Sequence, residues 1–248
     1  VIQAVTFDLW DTLVVDDSDE RVRAERGLLA KIDARRAAFV ARVVAAHPSL
    51  ASAAPAAWDG ATAWFRHCWK VEHHTPTVRE RVSRALAGCA LADLPDVDGL
   101  ITELEDMEVD IPPVPAPGVH AMLDQLAGAY RLGVVSDAIV TPGRGLRRIL
   151  EQHDLLRYFE HFVFSDEVGA SKPSPSVFRA AAAGLRVLPS QIVHVGDREA
   201  NDVAGPHGVG ARAILYTGVV DRGASDTRAD AVAAHHDAIP RIVAGWSS

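Results

Sequence analysis

Cysteine is nearly absent: Cys68 and Cys89 are the chain's only two in 248 residues. They cannot build a disulfide framework and match no zinc-ligand spacing, so the fold must stand on packing, and a reducing, cytoplasmic setting is expected. Lysine is almost as scarce, occurring only as Lys31, Lys70 and Lys172. An isolated lysine in a loop, as Lys172 is within Gly169-Ala170-Ser171-Lys172-Pro173, therefore calls for a chemical reason. Positive charge is short overall, 25 basic against 33 acidic residues for a formal net charge of -8. That balance offers no basic field to collect phosphate backbones, so nucleic acid is not an expected partner, whereas a small anion needs only a local site. Long apolar runs are missing too. The first apolar stretch is broken by Asp8 and Asp11 and has no basic flank, so it reads as neither a signal peptide nor a membrane span. There is no internal repeat and no low-complexity run.

The composition, 48% hydrophobic and 23% charged, is that of a packed globular protein, and the length accommodates a full core with a smaller second lobe. Val1 to Phe7 is apolar and β-rich and stops at Asp8, the profile of a buried strand with a polar residue at its C-terminal end. From Asp19 to Met107 the pattern turns Ala-, Arg- and Leu-rich with helical spacing, broken by prolines into about four helices. Ile111 to Gly118, which holds Pro112, Pro113, Pro115 and Pro117, is a stiff connection suited to a lobe boundary. After it strands and helices alternate: strands at Leu132–Ser136, Phe162–Ser165, Ile192–Gly196, Ala211–Leu215 and Ala231–Ala233, and helices between them, one starting near Asn201. This alternation predicts an α/β fold, a doubly wound, mainly parallel, Rossmann-like sheet. The expected division is residues 1–16 and 112–248 for the sheet domain and 17–111 for a small helical one.

Polar residues stand where the apolar strands end: Asp8, Ser136 with Asp137, Ser165 with Asp166, and Asp197. In a parallel sheet these ends line one edge and converge on one crevice. Asp8, Asp197 and Asp202 brought together would repel unless a hard cation neutralised them, which points to Mg²⁺, and Lys172 would balance further charge. Each acid taken alone also fits a helix cap or a turn; their order along the chain favours a shared site.

That order carries a family resemblance. Phe7-Asp8-Leu9-Trp10-Asp11-Thr12-Leu13 resembles the first motif of the haloacid dehalogenase-like superfamily, Ser136 the second, Ser171-Lys172-Pro173-Ser174-Pro175 the third, and Gly196-Asp197-Arg198-Glu199-Ala200-Asn201-Asp202 the fourth. The helical insert at 17–111 resembles the C1-type cap of subfamily I, which closes over the substrate. The resemblance implies a hydrolase in which Asp8 attacks phosphorus to give an aspartyl-phosphate, Ser136 and Lys172 hold the phosphoryl oxygens, and Asp8, the Trp10 backbone carbonyl, Asp197 and Asp202 hold Mg²⁺. A phosphatase or phosphotransferase for a small phosphorylated metabolite, monomeric or homodimeric, is expected.

The sequence departs from the phosphatase pattern at one position. Trp10 occupies the place of a second Asp that would protonate the leaving group, and Trp cannot transfer a proton. Asp11 and His73 are the candidate substitutes; Trp10, Thr12, Asp137, Trp64 and His74 are the candidate substrate contacts. Loss of that Asp also resembles haloacid dehalogenases and phosphonate hydrolases on the same scaffold. The former lack the acid pair present here, and the latter need a cap lysine where Lys31 and Lys70 read as solvated helix residues. A phosphate-binding regulator without turnover is the third reading. Arg144, Arg147 and Arg148 read as a solvated helix face, and His235 and His236 as exposed and remote from the motifs.

Overall fold

The computed structural model describes residues 1–247. The chain divides into two compact units: Asp17–Pro112 with Ala138–Ile149 form one, and Val1–Asp16, Pro113–Asp137 and the chain from Leu150 onward form the other.

The first unit is helical: α1 (Asp19–Glu25), α2 (Lys31–Ala46), α3 (Ala53–Lys70), α4 (Val78–Gly88) and α5 (Val97–Asp110). Five helices stand where about four were expected, because α1 closes at a left-handed Gly27 (φ 69°) and α2 begins only at Lys31. Apolar residues at helical spacing, among them Phe39, Val43, Trp58, Val82, Leu86, Leu100 and Leu104, bury one face of each longer helix in a shared core. Phe39 and Trp58 stack within it, ring centroids 5.2 Å apart. At the start of α4 the Thr77 hydroxyl accepts from Glu80 N at 3.2 Å while the Glu80 carboxylate accepts from Thr77 N at 2.7 Å, a reciprocal capping box.

The second unit holds six strands, β1 (Ala4–Phe7), β2 (Arg131–Ser136), β3 (His161–Phe164), β4 (Ile192–Gly196), β5 (Arg212–Tyr216) and β6 (Ala231–Ala233). They pair, all in parallel, in the order β3-β2-β1-β4-β5-β6. Strands covered on both faces need continuous apolar runs, and β1 and β4 are buried at every residue. The remaining helices are α6 (Val119–Ala127), α7 (Gly143–Gln152), most of which belongs to the first unit, α8 (Ser165–Val168), α9 (Pro175–Gly184), α10 (Gly205–His207) and α11 (Ile239–Gly245). The helix expected near Asn201 is instead a π-helical turn, Glu199–Ala204, running into the three-residue α10. Winding leaves β1 toward β2 and β3 on one side and toward β4, β5 and β6 on the other. The crevice such a reversal creates opens at the C-terminal ends of β1 and β4.

Candidate active site

Asp8 follows β1 directly, one residue past the pairs Phe7–Val134 and Phe7–Val195. Its N–H donates to the Val195 carbonyl at 2.9 Å, so the ladder itself fixes the backbone that carries the carboxylate. Residues 9–14 then fold back in a tight turn, in which Leu13 N and Val14 N donate to Leu9 O at 2.8 and 3.0 Å. Ser136 ends β2, Lys172 lies in the loop before α9, and Asp197 follows β4. Asp202 sits in the π-helical turn beside Gly196, where a Cβ would lie 2.4 Å from the Asp202 carboxyl carbon. Only glycine at 196 leaves room for this carboxylate.

These residues meet. Lys172 Nζ is 2.8 Å from Asp8 Oδ1 and 2.6 Å from Asp202 Oδ1, while Lys172 N donates to Asp137 Oδ1 at 2.9 Å. Carboxylate oxygens of Asp8, Asp197 and Asp202 lie within 4.8 Å of one another, the one arrangement among the described residues able to hold a metal ion. Burial would depress the Lys172 amine, but Asp202, Asp8 and Asp137 outweigh it and keep it protonated beyond its usual range. Burial likewise pushes Asp202 up, yet Lys172 and His194 pull it well below the carboxylate range. Asp8 stays raised, chiefly by burial. Asp197 is pushed up to about 6 by burial and then by the charges of Asp8 and Asp202, so the site carries more negative charge than its own cations balance.

Three buried polar atoms at these strand ends have no hydrogen-bond partner: Ser136 Oγ, Thr12 Oγ1 and Asp197 Oδ1. Leaving a buried polar group unmet costs about 1–3 kcal/mol, so such atoms are kept for something that binds. Asp197 Oδ1 has Arg198 Nε at 3.7 Å but no hydrogen bond, and an all-oxygen, carboxylate-rich donor set of this kind fits a hard divalent cation.

Two residues escaped the sequence reading. His194, inside β4, is fully buried; its Nδ1 is 2.9 Å from Thr6 Oγ1 and its Nε2 is 3.1 Å from Asp202 Oδ1. Because the carboxylate must accept, Nε2 carries the proton and the threonine hydroxyl donates to Nδ1. An ionisable residue within an apolar strand was the available signal, since it needs a partner. Arg222, in the loop after β5, reaches Asp197 Oδ2 with Nε at 2.5 Å and Asp11 Oδ2 with Nη2 at 2.5 Å. No motif surrounds Arg222, so nothing in the sequence pointed to it. Asp11, buried at a left-handed φ of 53°, also accepts from Asp16 N at 3.1 Å. Trp10 is half-buried beside it.

Other candidates stand in the helical unit: Trp64 lies 4.9 Å beneath the Arg84 guanidinium, His73 is exposed, and His74 N donates to Cys68 O at 3.1 Å. Arg144 pairs with Glu105 and Asp106 on α5. Two expectations are corrected. His236 is buried rather than exposed, its Nε2 3.0 Å from the Thr12 carbonyl of the first motif. Lys31 is not solvated: it is 3% exposed and is held by Asp19 at 2.8 Å, Glu108 at 3.0 Å and Asp17 at 3.2 Å. These acids overcome the effect of burial and fix the amine in its protonated form, which removes it as a Schiff-base nucleophile.

Comparison with known proteins converges on one family. A family model described as haloacid dehalogenase-like hydrolase matches residues 2–210. A glyceraldehyde 3-phosphate phosphatase of Pyrococcus abyssi is 32% identical over 101 residues, 40% of this chain and 41% of that one; the chain thus spans about two fifths of the length of that curated relative. Among solved structures, a HAD phosphatase from Thermococcus onnurineus superposes with a TM-score of 0.66 at 22% identity, covering 98% of this chain and 99% of the other. The L-2-haloacid dehalogenase of Xanthobacter autotrophicus does so with a TM-score of 0.60 at 15% identity and 99% coverage of both. At these identities the structural likeness is one of fold.

Proposed function

The chain belongs to the haloacid dehalogenase-like hydrolases, and from that premise we propose that it is a Mg²⁺-assisted phosphatase or phosphotransferase acting on a small phosphorylated metabolite through Asp8. The observation that carries the reading is the Asp8–Lys172–Asp202 arrangement with Asp197 beside it, its Oδ1 without a hydrogen bond and only 3.7 Å from the Arg198 guanidinium. The phosphatase name of the Pyrococcus abyssi relative supports the same bond class.

Asp8 is the nucleophile: its carboxylate oxygen forms a bond to phosphorus as the bond from phosphorus to the leaving oxygen breaks, and water later cleaves the aspartyl-phosphate. Lys172 offsets the charge of Asp8 and steadies the phosphoryl oxygens. The unpartnered Ser136 hydroxyl donates to one of those oxygens. Asp202 aims Lys172 and is itself oriented by His194. Asp8, Asp197, Asp202 and the Trp10 carbonyl would hold Mg²⁺, which when bound supplies positive charge against the transferring group. The proton for the leaving group cannot come from Trp10. Asp11 is the nearest acid in sequence, and Arg222 together with the Asp16 amide occupies both its oxygens.

Asp8→Asn removes the nucleophile with almost no change of volume. Assayed on a panel of phosphate monoesters with Mg²⁺, it should lose turnover while its circular dichroism matches the parent. Retained turnover would sink the covalent mechanism.

A further inference from the structure

Arg81, on α4 of the helical unit, is 9% exposed. Its guanidinium lies between two rings of α3, 4.9 Å from Trp58 and 5.1 Å from Phe65. Nη2 donates to Thr62 Oγ1 at 2.7 Å, and Nε–H is buried with no acceptor. No carboxylate lies within ion-pair distance of it among the described residues. Burying an unpaired cation costs several kcal/mol, and natural interiors meet that cost with a counter-ion.

The neighbours sharpen the imbalance. Arg35 on α2, 7% exposed, also has a buried Nη2 without a hydrogen bond, and its nearest acid, Glu108, is 3.5 Å away and already serves Lys31. Of the four buried cations of this unit, Lys31 and Arg35 share Asp19 and Glu108, and Arg23 is met by the Leu29 carbonyl at 3.0 Å, whereas the Arg81 Nε–H has neither an acid nor a carbonyl. Burial, followed by the like charges of Arg35 and Arg66, draws Arg81 down to about 10. It still carries its charge at neutral pH.

We propose that the helical unit holds its own anion-binding site, in which Arg81, flanked by Trp58 and Phe65 and backed by Thr62 and Arg35, takes a compact oxyanion, a carboxylate or phosphate group. A guanidinium supplies forked donors that match both, and the aromatic faces hold its plane so that Nε–H is already aimed when the ligand arrives. The site stands on the helical unit alone and does not depend on the chemistry proposed for Asp8.

The test uses the full chain, ¹⁵N-labelled, in EDTA without added metal. The Arg81 Nε–H resonance, assigned by its loss in Arg81→Met, is followed during separate titrations with sodium phosphate and sodium acetate at ionic strength held constant with chloride. It should move saturably with at least one anion at millimolar concentration, and which anion moves it tells phosphate from carboxylate. That anion should also raise the melting temperature, with the increment reduced in Arg81→Met. Arg81→Lys, which keeps the charge without the fork, should bind at least about tenfold more weakly. A resonance unmoved by either anion up to about 50 mM, enough to saturate any millimolar site, overturns the proposal. So does a melting gain that survives undiminished in Arg81→Met with the resonance unmoved, because the anion then sits elsewhere. The wild-type titration decides even if Arg81→Met folds poorly, since Arg81→Lys provides the assignment.

Discussion

At Trp10 the first motif keeps its backbone and loses its proton carrier. A substrate with a good leaving group should still phosphorylate Asp8, since its departing oxygen needs little protonation. Hydrolysis of the aspartyl-phosphate should then lag, giving a burst of product equal to the enzyme concentration followed by a slow steady rate. Trp10→Asp should speed that steady rate by about 10²–10⁴, the usual worth of a positioned acid–base group, with folding checked by circular dichroism because the change leaves a cavity. If Trp10→Asp brings no gain and the wild type shows no burst, another group moves the proton. Residues at strand ends were legible through their order along the chain, since each one alone fits a helix cap or a turn equally well. Lys31 was not legible, since its acids Asp19 and Glu108 are 12 and 77 positions away on other helices and a helical pattern shows only its own face.

The helices were read from periodicity, which finds the apolar stripe but not the ends. The break between α1 and α2 needed the left-handed Gly27, and the π-helical turn at Glu199–Ala204 has no period of its own. The α4 terminus gives a direct check: Thr77→Ala removes one half of the capping box and should cost about 1 kcal/mol in urea melts of the helical signal. A loss below the error of the melt would mean that solvent serves Glu80 N equally well. Between the helices, Lys31→Met should cost about 3–5 kcal/mol, because it strands the buried Asp19 and leaves Glu108 with Arg35 alone. Glu108 sets a pH dependence too. Burial raises it, but Arg35 and Lys31 win and hold it below its ordinary 4.5. Its contribution is therefore complete above that value and is lost as pH falls through the folded-state value. Asp19 works in the opposite sense, being raised by burial, so Glu108→Gln isolates the effect: its acid limb should be flatter than that of the wild type.

For the whole chain, the strand alternation was enough to predict the doubly wound sheet. Arg222 and His194 came to light only with the sheet assembled, because their partners are joined by topology and not by spacing. Crowding Asp8, Asp197 and Asp202 together strains the metal-free protein, so saturating Mg²⁺ should raise the melting temperature, by an amount equivalent to about 2.7 kcal/mol at a hundred times the dissociation constant. EDTA should reverse the gain and abolish turnover, and Asp197→Asn should erase the gain; activity indifferent to EDTA would favour a metal-free reaction. The strand order carries one more consequence, for synthesis on the ribosome. β1 is made first yet lies at the centre of the sheet, with Ala4 pairing to Arg131 on one side and Ile192 on the other. Its neighbours emerge only after the whole of Asp17–Pro112 has been translated, so the helical unit is largely complete while the strand that leads into Asp8 is still waiting for both of its partners.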